Sequence, residues 1–372
     1  MLGFGTYDAR AHPRVRILIE GLRAHGDEVQ ECNIPLGLDT AARVQMLKQP
    51  WRVPLLLLRL LRCWLGLAAR GRRAARRFDP EVILVGYLGH FDVLLARALF
   101  PRRTIVLDHM VSAAGTAKDR GSGGGAVQRL LRLLDRTATG SADIVVVDTD
   151  EHLAALPTEK ARAKAVVALI GAPAEWFAAR PAHHDRVAPA GPLTAAFFGL
   201  YTPLQGAVTI GAALPLLGDA VAVTMVGRGQ DLEATHAAAA GAQRVTWHDW
   251  LEPEELPALV AAHDVCIGIV GTTPKGAAVV PNKVFQGAAA GCAIVTSDTR
   301  PQRDLLGEDA VLVPAGDPAA LADALLDLAH DRAKLADLRA RAAKLADEQF
   351  SGSAVVAPVR DALLRRAKTK SG

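Results

Sequence analysis

The sequence predicts an α/β protein built from two doubly wound, Rossmann-like domains. Three observations carry this expectation. The chain has 372 residues, about two domains at roughly 150 residues each. Short β-branched runs alternate with segments of helical period, the pattern of parallel sheets layered with helices. A Pro- and Ala-rich stretch at 171–194, which includes His183 and His184, separates two alternations of similar length.

The first strand is expected at Leu2–Thr6, ending in a Gly-Thr turn. A helix follows at Arg14–His25, with Val15, Leu18, Ile19 and Leu22 on one face, and Gly26 stops it. Val29–Cys32 is a short second strand. Pro54 suits the first turn of a long helix to Arg77. Strands recur at Val82–Val85, Thr104–Leu107, Ile144–Val147 and Val166–Ile170, with Gly121–Gly125 as a break. In the second half, strands are expected at Ala195–Leu200, Val221–Val226, Arg244–Trp247, Val265–Ile269, Ala293–Thr296 and Val311–Val313. Helices are expected at Pro253–Ala262, Asn282–Ala290 and Ala319–Asp331, and in the tail at 331–349 and 355–367. The domains are 1–190, 191–345 and a C-terminal helix at 346–372 that crosses back to the first. Two such halves face each other across a cleft, with ligands at the carboxyl ends of the strands.

Half the residues are hydrophobic and 22% are charged, a globular composition. The net charge of +4 is unevenly placed. Residues 1–200 carry 27 Lys and Arg against 19 acids, and 201–372 carry 16 against 20. Residues 51–77 hold eight Arg and no acid. A basic surplus confined to one stretch argues against nucleic acid as a partner. Cys32, Cys63, Cys266 and Cys292 form no CxxC pair and have no His at zinc spacing, so a reducing, cytoplasmic setting fits. No signal peptide is expected at the start. The longest uncharged run, Val187 to Gly218, contains four prolines and five glycines, which argues against a membrane span.

The residues with chemistry gather in the second half. Phe197-Phe198-Gly199-Leu200-Tyr201-Thr202-Pro203-Leu204-Gln205-Gly206 is a strand running into a Gly/Pro loop, where a phosphate can approach the backbone. An ordinary βα turn has the same pattern. Val226-Gly227-Arg228-Gly229-Gln230 repeats the device with an Arg, though such a Gly-x-Gly is weak alone. Trp247-His248-Asp249-Trp250-Leu251 precedes a helix opening with Pro253, Glu254 and Glu255, acids that complement the helix dipole. Gly271-Thr272-Thr273-Pro274-Lys275-Gly276 is followed by Val280-Pro281-Asn282-Lys283-Val284-Phe285-Gln286. Pro281 and Asn282 read as a helix start with Asn282 as cap. Lys283 then stands at a helix N-terminus, where free N–H groups favour an anion. Lys275 and Lys283 around one helix start suit a diphosphate, with Gln286 one turn on as a hydrogen-bonding group. A solvated helix start is the alternative.

This order of motifs resembles the donor-binding domain of retaining GT-B glycosyltransferases of the GT4-like, bacterial group 1 type, in the branch with an Asn-Lys-Val-Phe-Gln helix. The likeness runs through 195–330, with Gly291-Cys292-Ala293-Ile294-Val295-Thr296 and the closing Pro-Ala-Gly-Asp-Pro at 314–318. In the first half, Gly3–Tyr7, Val85–Gly89 and Asp108-His109 fit as well. The resemblance implies sugar transfer from a nucleotide diphosphate sugar, a UDP-sugar expected, to an acceptor hydroxyl with retention. It implies a donor site at Gly5, Thr6, Gly199, Thr202, Gly227, Arg228, Gly229, Lys275, Asn282, Lys283 and Gln286. Catalytic roles fall to His109 and Asp108, although a strand-end polar pair reads equally. The family's Glu-x7-Glu pair is replaced by Ala278 and Gln286. The family's cations after the first strand of this domain are missing between Leu200 and Gln205, and Lys275, Lys283 and Arg228 are the substitutes. With no Asp-x-Asp placed for a metal, the expectation is metal-independent chemistry with no bound cofactor. The acceptor is a lipid-linked molecule, a polysaccharide or a small natural product. A sugar-nucleotide epimerase and a non-catalytic nucleotide- or membrane-binding paralogue are the alternatives.

In the helix at 51–77, Arg59, Arg62, Arg70, Arg73 and Arg77 share one face and leucines cover much of the rest. With Trp51 and Trp64, this suits peripheral contact with the inner membrane leaflet. A solvated cationic face is the plainer reading. His12, His25, His90, His152, His236 and His263 read as scattered surface or packing residues, and a metal at His183-His184 has only the pair itself in its favour.

Overall fold

The computed structural model describes residues 1–8, 13–37, 53–110, 112–115, 125–182 and 191–371. His183, His184, Arg10, His12 and Trp51 lie outside them. Two compact units form, Met1–Leu169 with Gly352–Gly372, and Ile170–Ser351.

The first unit contains β1 (Leu2–Gly5), α1 (Pro13–Ala24), β2 (Gln30–Asn33), α2 (Val53–Phe78), β3 (Val82–Val85), α3 (Asp92–Leu99), β4 (Thr104–Asp108), α4 (Gly125–Ser141), β5 (Ile144–Val147), α5 (Asp150–Ala154), α6 (Glu159–Ala163) and β6 (Ala165–Val167). The strands pair in parallel in the order β2-β1-β3-β4-β5-β6. Every residue of β1 and β5 is buried. Helices cover both faces, so these strands are continuous apolar runs without polar alternation. Leu67 of α2, Val93 and Ala96 of α3 and Ala138 of α4 pack with Phe4, Ile83 and Ile105. Val15, Leu18 and Ile19 of α1 pack with Leu84, Val106 and Val146.

The second unit opens with α7 (Ala174–Ala179), then β7 (Leu193–Phe198), α8 (Ala207–Ala213), β8 (Val221–Val226), α9 (Leu232–Ala238), β9 (Val245–His248), α10 (Leu256–Ala261), β10 (Val265–Ile267), α11 (Asn282–Ala289), β11 (Ala293–Ser297), α12 (Arg300–Leu306), β12 (Val311–Val313), α13 (Pro318–His330) and α14 (Arg332–Leu345). The parallel order is β12-β11-β10-β7-β8-β9, the doubly wound order with its crossover point beside the first strand. The helix before β7 belongs to this unit: α7 packs on α10 and α11, and Trp176 stacks on Phe198 at 5.5 Å. A buried network ties the lower ends of β7 and β10 to α14. Arg339 donates to Gly291 O at 3.0 Å and to Asp264 Oδ1 at 3.1 Å, while Asp264 Oδ2 accepts from the amide and hydroxyl of Thr194 at 3.0 and 2.9 Å.

After a π-turn at Ala346–Phe350, the chain returns to the first unit as α15 (Gly352–Ser371). Val355, Val356 and Val359 are buried with the α1 residues. The two helices touch at glycines: a Cβ on Gly21 would sit 2.0 Å from the carbonyl oxygen of Gly352. Backbone cannot yield as a flexible side chain can, so this contact fixes where α15 crosses α1. Gly21→Val is expected to destabilise the protein by roughly 1–3 kcal/mol, the usual cost of overpacking. Urea denaturation checks it; an unchanged midpoint would mean that α15 is not seated on α1.

Candidate functional site

In the second unit, the loops after β7 and β8 lie against each other along their backbones. Gly199 N donates to Val226 O at 3.0 Å, Tyr201 N to Arg228 O at 3.0 Å, and Gly227 N to His248 O at 2.8 Å. A Cβ on Gly227 would fall 1.8 Å from Gly199 O, and one on Gly229 2.3 Å from Tyr201 O. Gly227 and Gly229 are therefore glycines because two backbones meet there. Gly199 is different. It has φ +142, and the nearest atom to its absent Cβ is Lys283 Nζ at 3.4 Å.

Lys283 is the centre of this site. It sits in the first turn of α11, 4% exposed, and its ammonium donates to Gln205 Oε1 at 2.6 Å. The Nζ also lies 3.6 Å from the centroid of the Phe197 ring, a cation–π contact made stronger by the absence of water. Burial pushes its pKa down to about 7, against a small upward pull from Cys266. Gln205, in the Gly/Pro loop, accepts this hydrogen bond from Lys283, a partnership that the sequence spacing of 78 residues does not display.

The remaining expected donor residues fall around this centre to different degrees. The cap of α11 is Pro281, in extended conformation and without a side-chain hydrogen bond. Asn282 is thus the first helical residue and not the cap, and it is exposed. Gln286 is half-buried one turn on, and Thr202 is half-buried in the β7 loop. Lys275 precedes a 3-10 turn at Gly276–Ala278, and Gly276 N donates to Thr273 Oγ1 at 3.1 Å. Arg228 is exposed and stacks on Trp250, its guanidinium carbon 4.6 Å from the ring centroid. The helix α10 begins at Leu256, after the expected Pro253; Glu255 precedes it without a side-chain cap hydrogen bond and accepts from Glu252 N at 2.9 Å, so the acids at 252–255 form its entry turn. The loop after β10 is braced from beneath by Thr296. Its hydroxyl donates to Gln302 Oε1 at 2.6 Å and accepts from Ile269 N at 3.3 Å.

In the first unit, the turn after β1 is clamped from both sides. Asp92, at the start of α3, accepts from Thr6 N at 2.7 Å and Thr6 Oγ1 at 2.8 Å with one oxygen, and from Trp64 Nε1 at 3.0 Å with the other. Asn33 Nδ2 donates to Gly5 O and Tyr7 O at 3.1 and 2.8 Å. The Thr6 hydroxyl is thereby committed to holding the turn. A Cβ on Gly5, at φ +146, would press on Asp92 Oδ2 at 3.0 Å. Trp64 is half-buried with its N–H on Asp92, so it serves the core, in contrast to the membrane-facing role expected for it.

Asp108 ends β4 and His109 follows it, both buried. Asp108 accepts from Arg14 Nε at 3.3 Å, and Arg14 reaches on to Ala168 O at 2.8 Å and to Leu169 O. This ion pair ties α1, β4 and the end of β6 together. Desolvation nonetheless raises the Asp108 carboxyl above its usual range, with Arg14 pulling it down. His109 N donates to Val146 O at 2.7 Å, and the ring packs edge-on against His90. Burial, then His90, push His109 down to about 3, so its ring is neutral.

Comparisons with known proteins agree with this architecture. Residues 192–331 match the family model described as glycosyl transferases group 1. No curated protein matches the chain. Sucrose-phosphate synthase from Thermosynechococcus elongatus superposes with TM-score 0.68 at 16% identity, over 96% of this chain and 93% of that one. Anabaena HepE, solved with UDP and glucose, gives 0.66 at 15% identity over 98% and 99%. A glycosyltransferase from Rickettsia africae ESF-5 gives 0.64 at 11% over 97% and 96%. The fold is GT-B.

The buried lysine predicts a pH dependence. Unfolded, Lys283 titrates near its ordinary value of about 10.4; folded, it titrates at about 7. Between these values the unfolded chain holds more protons, so stability rises as pH increases above about 7. The gain from pH 7 to 9 is about 2 kcal/mol. Lys283→Met is expected to lose this rise in urea denaturation; an identical rise in both proteins would mean that Lys283 titrates normally.

Proposed function

We propose that the protein transfers a sugar from a nucleoside diphosphate sugar, with UDP as the nucleotide, to an acceptor hydroxyl with retention at the anomeric carbon. The observation that carries the reading is the Lys283 ammonium beside Gly199, within a segment that matches group 1 glycosyl transferases. Solved relatives of this fold include HepE with UDP-glucose and a TarM variant with UDP and alpha-GlcNAc-glycerol.

Bond cleavage leaves negative charge on the departing diphosphate. A cation held in a dry site stabilises that charge. Lys283 fits this role: burial holds its pKa down to about 7, and a dianion arriving beside it favours the ammonium form again. The first-turn N–H groups of α11 add a fixed positive end. Arg228 and Lys275 add charge, so that side chains rather than a divalent ion meet the diphosphate. Gln286 is proposed for the nucleotide's hydroxyl or carbonyl groups. Retention is ascribed to front-face attack, with the leaving phosphate taking the acceptor proton. His109, neutral at the end of β4, serves as a hydrogen-bonding group to the donor sugar, and Asp108 with Arg14 holds the strand end beneath it.

Calorimetric titration with UDP-, GDP-, ADP- and dTDP-sugars, paired with a turnover assay, tests the reading. UDP-sugars are expected to bind and turn over, and Lys283→Met to lower kcat at least ~100-fold, the scale of losing one transition-state charge partner. Binding without turnover in the native protein would make it a non-catalytic nucleotide binder. Near-normal turnover in Lys283→Met would remove that residue from the mechanism.

For the acceptor side, we propose that a cytoplasmic protein meets the inner membrane face through α2. No helix among the described residues is long and apolar enough to cross a membrane. The support is an exposed face on α2 with Leu55, Leu58, Leu61 and Leu65, flanked by Arg59 and Arg62. A similar face on α4 exposes Val127, Leu130 and Leu133 beside Arg129 and Arg132, and both helices pack on α3. Apolar insertion beside cationic contact is the physics of peripheral binding to anionic lipid. A lipid-linked acceptor would then be met at its own surface. Cosedimentation with phosphatidylglycerol vesicles is expected to fall several-fold in Leu58→Ser/Leu61→Ser/Leu65→Ser; no binding by the native protein would contradict the proposal.

A further inference from the structure

His90, His109 and Asp135 are brought together in the first unit from three separate segments. His90 lies in the turn before α3, His109 follows β4, and Asp135 belongs to α4. One potential ligand atom from each lies within 4.8 Å of the others. The residues are 8%, 5% and 3% exposed, so water does not readily satisfy them. The His rings meet edge-on with centroids 4.9 Å apart.

The pairing inside this cluster is incomplete. His90 Nε2 stands 3.1 Å from Asp135 Oδ1, yet it has no hydrogen-bond partner among the described residues. This buried ring nitrogen faces the carboxylate at ion-pair distance without the alignment of a hydrogen bond, an arrangement that an ion between the two groups would accept.

Asp135 offers the cluster a carboxylate held in place by its neighbours. The carboxylate is oriented from behind. Oδ2 accepts from Ser112 Oγ at 2.7 Å and Ala114 N at 3.1 Å, and Oδ1 accepts from Ala113 N at 2.8 Å. Such backing is what fixes a ligating carboxylate in metal centres.

We propose that His90, His109 and Asp135 bind a divalent transition-metal ion, with zinc as the best match. Two imidazole nitrogens and one carboxylate oxygen are a donor set that zinc favours, and three protein ligands leave a fourth position open. The ion gives His90 Nε2 a partner and balances the buried charge of Asp135. A ligating imidazole keeps an N–H on its other nitrogen, so His109 remains able to donate a hydrogen bond. The site stands whether or not the protein transfers sugars, because its readout is metal binding.

The full-length protein, stripped with chelator, is titrated with Zn²⁺ by calorimetry and with Co²⁺ by visible absorption. One equivalent of tight binding is expected, with Co²⁺ d–d bands of a four-coordinate site. His90→Gln is expected to weaken binding by more than about 100-fold, beyond what loss of a supporting partner costs. Asp135→Asn gives a second removal of a ligand charge if His90→Gln does not fold. His183→Ala/His184→Ala is expected to bind as the native protein does. Binding that survives His90→Gln and Asp135→Asn, binding lost with the His183/His184 pair, or no binding at all would overturn the proposal.

Discussion

A lysine ammonium held out of water is the constraint on which the second unit's site depends. Lys283 has its charge within reach of Gln205 and the Phe197 ring, and neither is an anion. A buried cation without a counter-anion costs stability, and that cost explains the arrangement around it. The β7 loop must run close enough to place Gln205 over the ammonium, and the β8 loop must support the β7 loop. The glycines at 227 and 229 permit that support, backbone on backbone. The group left poorly compensated is the group that an incoming diphosphate would compensate.

The first unit solves a different problem. Its strand-end turns carry polar groups into a buried region, and each is satisfied from a distant segment. Asp92 holds the β1 turn, Arg14 holds the end of β4, and Asp135 holds the turn at 112–114. Asp135 also faces His90 Nε2 at 3.1 Å, where among the described residues the ring nitrogen makes no aligned hydrogen bond.

Much of the fold was legible because parallel strands covered on both faces are continuous apolar runs, bounded by Gly and Pro. The strands at 82–85, 144–147, 221–226 and 311–313 match the expected residues, and the strand at 166–170 is shorter, at Ala165–Val167. Local signals misled where neighbours in space decide. Asn282 has the chemistry of a cap, but Pro281 adopts the extended cap conformation. Gly227 and Gly229 were visible as a motif, yet spacing does not tell whether a missing Cβ faces a ligand or a carbonyl. Trp64 looked amphipathic on its helix, while its N–H partner Asp92 lies 28 residues away. His90 read as isolated because the steps to His109 and Asp135 follow no metal-binding spacing.

The most direct measurement is a crystal structure of the protein with UDP. The account predicts a phosphate oxygen within about 3 Å of Lys283 Nζ, over the face that Gly199 leaves open. UDP bound elsewhere, with Lys283 still paired only to Gln205, would contradict it.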